Sequence, residues 1–171
     1  MFNFPEQLFG HCLVRINSSH AFLAGGRSAG RESEAAYLFS DSAGFVRLAN
    51  MSTPRRFHSC ALSAGGLVIV AAGMIKNKDG ALNSTEIFNL STLTWVTGPA
   101  LPAATFGAAM ISDNAGTFFM GGFQRRETIH KLHVSGLFSS SWIEVGTMSR
   151  GRRFFSVSKL NITDAECKRW K

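Results

Sequence analysis

Apolar positions in this chain fall in short runs, without a helical stripe. Residues 21–24 (AFLA), 67–72 (LVIVAA) and 117–120 (TFFM) are almost wholly apolar. A strand with one wet face alternates, so such runs imply strands buried on both faces. Turn formers separate them: Asn-Ser-Ser, Gly-Gly, Asp-Ser-Ala-Gly and Asp-Asn-Ala-Gly. The pattern predicts three sets of four strands. The first set spans 11–16, 21–25, 34–39 and 45–49; the second 59–63, 67–72, 85–90 and 94–97; the third 108–112, 117–121, 129–134 and 142–145. Third and fourth strands carry more polar residues, as in Glu86-Ile87-Phe88-Asn89, and belong further out.

The sets repeat. Phe9, Phe57, Phe106 and Phe154 stand at steps of 48, 49 and 48. The glycines Gly26, Gly73 and Gly122 step by 47 and 49, and a later aromatic recurs at Phe45, Trp95 and Trp142. The hexapeptide MSTPRR (51–56) returns as MSRGRR (148–153). A fixed period near 50 marks a repeat architecture in which each unit is one supersecondary element. Four-stranded sheets, buried within and stacked face to face around an axis, make a β-propeller. Gly25-Gly26, Gly73 and Gly121-Gly122 let the chain leave the crowded inner strand, Ala72 replacing one of them. Trp95, Trp142 and the smaller Phe45 fill the space between neighbouring sheets.

These residues resemble the kelch repeat. They supply a Gly-Gly pair, a third-strand aromatic (Tyr37, Phe88), a fourth-strand tryptophan, and an Arg-aromatic pair (Arg56-Phe57, Arg153-Phe154). Departures are Ala72, Phe45, Leu132 at a third-strand aromatic position, and Ala104-Thr105 where arginine is usual. The resemblance implies an all-β, incomplete kelch-type β-propeller of three four-stranded antiparallel blades plus an extra strand. Kelch repeats cover 1–160, with blades at 9–50, 57–98 and 106–147 and a partial fourth from 154; 161–171 is a non-repeat tail. Three sheets leave two apolar faces open. The expectation is a segment of a longer propeller; the rival is two copies closing a six-bladed ring, with strand 154–160 adding to the partner. As the family implies, such propellers are non-catalytic modules that bind a protein or peptide through loops on one face.

Charge sharpens this. The net charge is +7. Loops from second to third strand and from blade to blade share one face. They carry Arg27, Arg31, Arg55, Arg56, Lys76, Lys78, Arg125, Arg126, Arg150, Arg152 and Arg153 against Glu32, Glu34, Asp79, Glu86 and Glu127. The other face has neutral Asn, Ser and Gly turns. The expected binding set is Arg27, Arg31, Arg55, Arg125, Arg126, Arg150 and Arg152, facing an acidic protein or peptide segment. Arg56 and Arg153, at a repeat position, are expected to anchor neighbouring blades. The alternative is an extracellular glycoprotein module that binds glycan. The basic loops lack the interleaved aromatics of a stacking platform, which sets nucleic acid aside.

Five of eight asparagines begin an N-x-S/T triplet: Asn17, Asn50, Asn83, Asn89 and Asn161. Chance gives about one or two. The competing explanation is turn chemistry, since Asn and Ser both favour turns. Cys12 and Cys60 occupy equivalent repeat positions and are expected as small, buried, unpaired residues. No metal-ligand spacing occurs, and no cofactor is expected. His130 and His133, three apart in a strand, face opposite ways. A remnant of a galactose-oxidase-like enzyme would need tyrosine and histidine ligands, and sialidase-like chemistry a tyrosine with an acidic partner. Tyr37 is the one tyrosine and holds a core repeat position. No apolar run is long enough to span a membrane as a helix.

Overall fold

The computed structural model describes residues 7–75, 80–124, 126–135 and 139–159. Strands β1 (Cys12–Arg15), β2 (His20–Ala24), β5 (Ala36–Ser40) and β6 (Gly44–Arg47) form the first sheet. A two-stranded hairpin, β3 (Arg27–Ser28) and β4 (Arg31–Glu32), rises between β2 and β5. The second sheet orders β7 (Ser59–Ser63), β8 (Leu67–Ala71), β9 (Thr85–Asn89) and β10 (Thr94–Gly98). The third orders β11 (Ala109–Asp113), β12 (Gly116–Met120), β13 (Thr128–Ser135) and β14 (Ser139–Thr147). Every pairing is antiparallel between neighbours in order. All twelve expected strands are present, most shifted by a residue or two, and the small hairpin is an addition.

Alternation assigns the faces. In β8, Val68 and Val70 pack with Phe22, Ala24, Met51 and Phe88 against blade 1. Ile69 and Ala71 pack with Met110, Phe119 and Trp142 against blade 3. All four β8 residues are buried, so β8 is the doubly covered strand the sequence implies. The third blade differs: β12 alternates, with Thr117 and Phe119 buried and Phe118 and Met120 only half-buried. The expectation that its TFFM run is covered on both sides is therefore corrected. Among the described residues no further blade covers its outer face, where Ile143 and Val145 are exposed. The three sheets do not close a ring.

The tryptophans stitch blades as expected. Trp95 Nε1 donates to Ala49 O of the preceding connection at 2.8 Å, and Trp142 Nε1 donates to Thr85 Oγ1 of blade 2 at 3.2 Å. Two expectations are overturned. Cys12 and Cys60 are not free thiols. They face each other across the junction of blades 1 and 2 and form a disulfide, with Cα atoms 6.0 Å apart. Residues 154–159, expected as a strand, form none, because a strand needs a ladder partner and none lies beside them among the described residues. Instead, Phe154 N donates to Gly107 O at 2.7 Å. Cys167, Leu160 and the tail 161–171 lie outside the described residues.

Backbone bonds along the axis refine the repeat register. Phe57 N donates to Gly10 O, Gly107 N to Phe57 O, and Phe154 N to Gly107 O. Gly10, Phe57, Gly107 and Phe154 are therefore equivalent, and all have φ between 52° and 68°. Phe9 and Phe106 align instead with Arg56 and Arg153, one residue earlier. The recurrence of phenylalanine thus covers two neighbouring positions. Gly26 N, Gly73 N and Gly122 N donate to Arg55 O, Thr105 O and Arg152 O in turn, so Thr105 takes the backbone place of Arg55 and Arg152.

The same register explains Ala72. A Cβ on Gly25 would lie 2.5 Å from the His58 ring, and one on Gly121 would lie 2.9 Å from the Phe155 ring. In blade 2 the equivalent residue is Ala108, which has no ring, so that side-chain obstacle is absent beside Ala72, at φ 64°.

Candidate functional site

The loop side of the blades holds two kinds of arginine. Arg55 is fully buried. Its Nη1 donates to Ala72 O at 2.8 Å and Ser84 O at 3.2 Å; its Nη2 donates to Ser84 Oγ at 3.1 Å and pairs with Glu86 Oε1 at 2.7 Å. Glu86 also accepts from Ser52 N, Ser52 Oγ and Thr53 N at 2.7, 2.9 and 3.2 Å. Burial lowers the Arg55 pKa, against the opposing hydrogen bond and charge of Glu86. Arg55 is expected from the sequence in the binding set and does not belong there. It stitches the connection between blades 1 and 2 to the third strand of blade 2, out of reach of a ligand.

The Arg27 and Arg56 side chains are mostly buried and share the carboxylate of Glu32, on the β3–β4 hairpin: 3.9 Å from Arg27 Nε and 3.3 Å from Arg56 Nε. Arg56, expected to anchor neighbouring blades, pairs with this blade 1 carboxylate, whereas Arg153, expected to do the same, is exposed over Phe123. Arg31, on the same hairpin, is exposed. Arg126, Arg150, Arg152 and Arg153 are exposed on the blade 3 side, with one exposed carboxylate, Glu127, among them. Arg125, Lys76 and Lys78 lie outside the described residues.

Phenylalanines from distant repeats meet these arginines at the axis. Phe9 and Phe57 lie 6.1 Å apart, Phe57 and Phe154 5.2 Å, and Phe106 and Phe154 6.0 Å between ring centroids. Phe106 stacks on Phe123 at 4.8 Å and 12°. The Arg56 guanidinium lies 5.1 Å from the Phe57 centroid and 5.9 Å from Phe9; Arg27 lies 5.9 Å from Phe9. Arg126 and Arg153 lie 5.7 and 5.1 Å from Phe123. Cation–π contacts of this kind contribute about 0.5–1 kcal/mol at exposed sites.

The sequence concealed this cluster because its rings come from four repeats and sit beside, not within, the basic loops. The expectation that the basic face lacks interleaved aromatics is therefore corrected. One signal was legible: an Arg-Phe pair recurs at 56–57 and 153–154.

Phe57 and Phe154 hold φ 53° and 52°, where Gly10 and Gly107 stand in the other repeats. A left-handed conformation costs a residue with a side chain roughly 1–2 kcal/mol. Strain of this kind collects where a side chain is kept for a role. Phe9 and Phe154 are 50% and 57% exposed, so their rings border solvent beside the arginines.

The remaining candidates lie elsewhere. Tyr37 is buried in blade 1 and accepts a hydrogen bond from Arg47 Nη1 at 2.8 Å. His58 is buried and donates from Nε2 to Ala24 O at 3.1 Å; burial, with the nearby Arg55 charge, drives its pKa down to about 3. His130 is buried in blade 3. Among the described residues no three His, Cys, Asp or Glu side chains cluster to hold a metal ion.

Comparison with known proteins adds two facts. A family model described as the kelch motif matches residues 55–102. One solved structure, described as "Structure of YjhT", aligns with a TM-score of 0.71 at 16% identity, covering 87% of this chain and 54% of that one. This chain spans about half of that protein's length, and at such low identity the likeness shows the fold alone. No curated protein sequence is significantly similar to this chain.

Proposed function

Since this chain is a stretch of kelch-repeat β-propeller with three blades, a fold commonly used for protein binding, we propose that it is a binding module. Its loop face takes an acidic protein or peptide segment at the blade 3 side of the axis. The observation that carries this is the exposed set Arg126, Arg150, Arg152 and Arg153, of which Arg126 and Arg153 lie over Phe123, together with the left-handed Phe154. Arg27 and Arg56 share the single carboxylate of Glu32, whereas blade 3 gathers four exposed arginines with one carboxylate, Glu127, among them.

Guanidinium groups recognise carboxylates in a fork, and aromatic rings beside them add contact area. A peptide carries both partners: acidic side chains for the arginines and apolar ones for Phe154 and Phe9. Base stacking is disfavoured, because arginines lie over Phe9, Phe57 and Phe123 and Phe106 is stacked on Phe123.

The test is fluorescence anisotropy with labelled poly(Glu-Tyr), with polyglutamate, a heparin fragment and single-stranded DNA as competitors. Poly(Glu-Tyr) should bind in a salt-sensitive way and more tightly than polyglutamate. Arg126→Glu with Arg152→Glu should weaken it about tenfold or more, whereas Arg15→Glu, on the far side of blade 1, should not. Equal affinity of the reversed variant and the native chain would refute the proposal. Tighter capture of heparin or DNA would transfer the site to another ligand class.

A further inference from the structure

We propose that this chain carries N-linked glycans at Asn17, Asn50 and Asn83 and therefore works in the secretory or extracellular space. Two independent observations meet here: the excess of N-x-S/T triplets and the disulfide that joins blades 1 and 2. Asn50, in a blade-to-blade connection, and Asn83, in a second-to-third-strand loop, share the loop face with the arginines but are not residues of the proposed peptide site.

Turn chemistry explains only part of the excess. Asn17 Oδ1 accepts from Ser19 N and His20 N, each at 2.9 Å, and Asn89 Oδ1 accepts from Ser91 N at 2.8 Å. Both asparagines shape the tip of a hairpin. Asn50 and Asn83 make no such turn. Asn50 lies beyond β6, where its Oδ1 accepts from Arg47 Nη2 at 2.8 Å and its Nδ2 donates to Glu34 Oε1 at 3.4 Å. Asn83 lies before β9, held by its backbone O, which accepts from Leu101 N at 2.7 Å. Turn geometry does not ask for asparagine at either place.

Asn17, Asn50 and Asn83 are exposed, and Asn89 is half-buried. At Asn17 the hydrogen bonds engage Oδ1, and a glycan is carried on Nδ2, so the turn survives modification. Asn161 lies outside the described residues.

The chemistry requires an N-x-S/T triplet and a polyprenyl-diphosphate-linked oligosaccharide as donor. The amide Nδ2 forms a bond to the anomeric carbon, the bond from that carbon to the diphosphate oxygen breaks, and Nδ2 releases a proton. This happens where disulfides also form and persist. Cys12 and Cys60 are joined through their side chains across two blades. In a reducing compartment they would stand as thiols.

The experiment is peptide mapping of the protein isolated from its own source, without reduction, before and after peptide N-glycosidase in ¹⁸O-water. Labelled aspartate at position 50 or 83, with the Cys12–Cys60 peptide intact, is the expected result. Unmodified asparagine at both positions would overturn the proposal, even with the disulfide present or Asn17 occupied. Free Cys12 and Cys60 together with unmodified asparagines would overturn the compartment as well.

Discussion

Replacing Arg55 with methionine tests whether the junction between blades 1 and 2 is held as described. Methionine fills similar space but removes every polar contact of the guanidinium. Ala72 O loses its side-chain donor, Ser84 O keeps only the bond from Ala72 N, and the carboxylate of Glu86, itself buried, loses its counter-charge. Breaking a buried ion pair from one side costs about 3–5 kcal/mol. Glu86 keeps its bonds from Ser52 N, Ser52 Oγ and Thr53 N, which places the loss near the low end, about 3 kcal/mol. For a chain of this size each kcal/mol moves Tm by about 2–4 °C, so the variant should melt roughly 6–12 °C lower. Arg55→Lys should not restore it, because one ammonium cannot reach the acceptors that the planar fork reaches together. A double-mutant cycle with Glu86→Leu, followed by urea unfolding, should give a coupling of roughly 1–3 kcal/mol. An Arg55→Met variant within about 0.5 kcal/mol of the native chain, which is the range of an ordinary surface change, would refute the reasoning.

His58 sets a second expectation. Its folded pKa of about 3 lies below the unfolded value near 6.5, so the folded state holds the neutral ring, with the Arg55 charge and His11 nearby. Its contribution is whole above about pH 6.5 and drains as pH falls toward 3, at up to about 1.4 kcal/mol per pH unit. His58→Phe, which places a ring where Phe155 sits two repeats on, should flatten that slope in pH-dependent melts; an unchanged slope would contradict the assignment. The open outer face of blade 3 gives a third. Sedimentation velocity should show concentration-dependent self-association of the 171-residue chain, and Ile143→Lys with Val145→Lys should shift it toward monomer, whereas a monomer at all concentrations would deny that this face seeks cover.

Much of the fold was legible because its constraints are local. LVIVAA could only be a strand covered on both sides, and β8 is. Trp95 and Trp142 repeat in phase because each must fill the same gap between sheets. TFFM misled, since the pattern of a repeat records the environment of its type, whereas burial of β12 depends on a neighbour beside blade 3. The disulfide was missed for a related reason: Cys12 and Cys60 look like equivalent core positions until the faces of two adjacent sheets are brought together.

The candidate site was half visible. Arginines could be assigned to the loop face from topology alone. Their division into a buried stitch at Arg55, a pair sharing Glu32 and an exposed group on the blade 3 side depends on side-chain contacts. Loop spacing does not reveal these. Nor does spacing reveal that Phe57 and Phe154 occupy left-handed positions filled by glycine in the other repeats.

The central claim is that a partner is read by one end of the blades, at the arginine–phenylalanine cluster. Hydrogen–deuterium exchange of the chain with and without bound poly(Glu-Tyr) tests it most directly. Protection is expected at 123–128 and 150–155, with little change at the opposite hairpins 16–20, 41–44 and 90–94. Protection confined to those opposite hairpins, or to the open sheet face of blade 3, would contradict it.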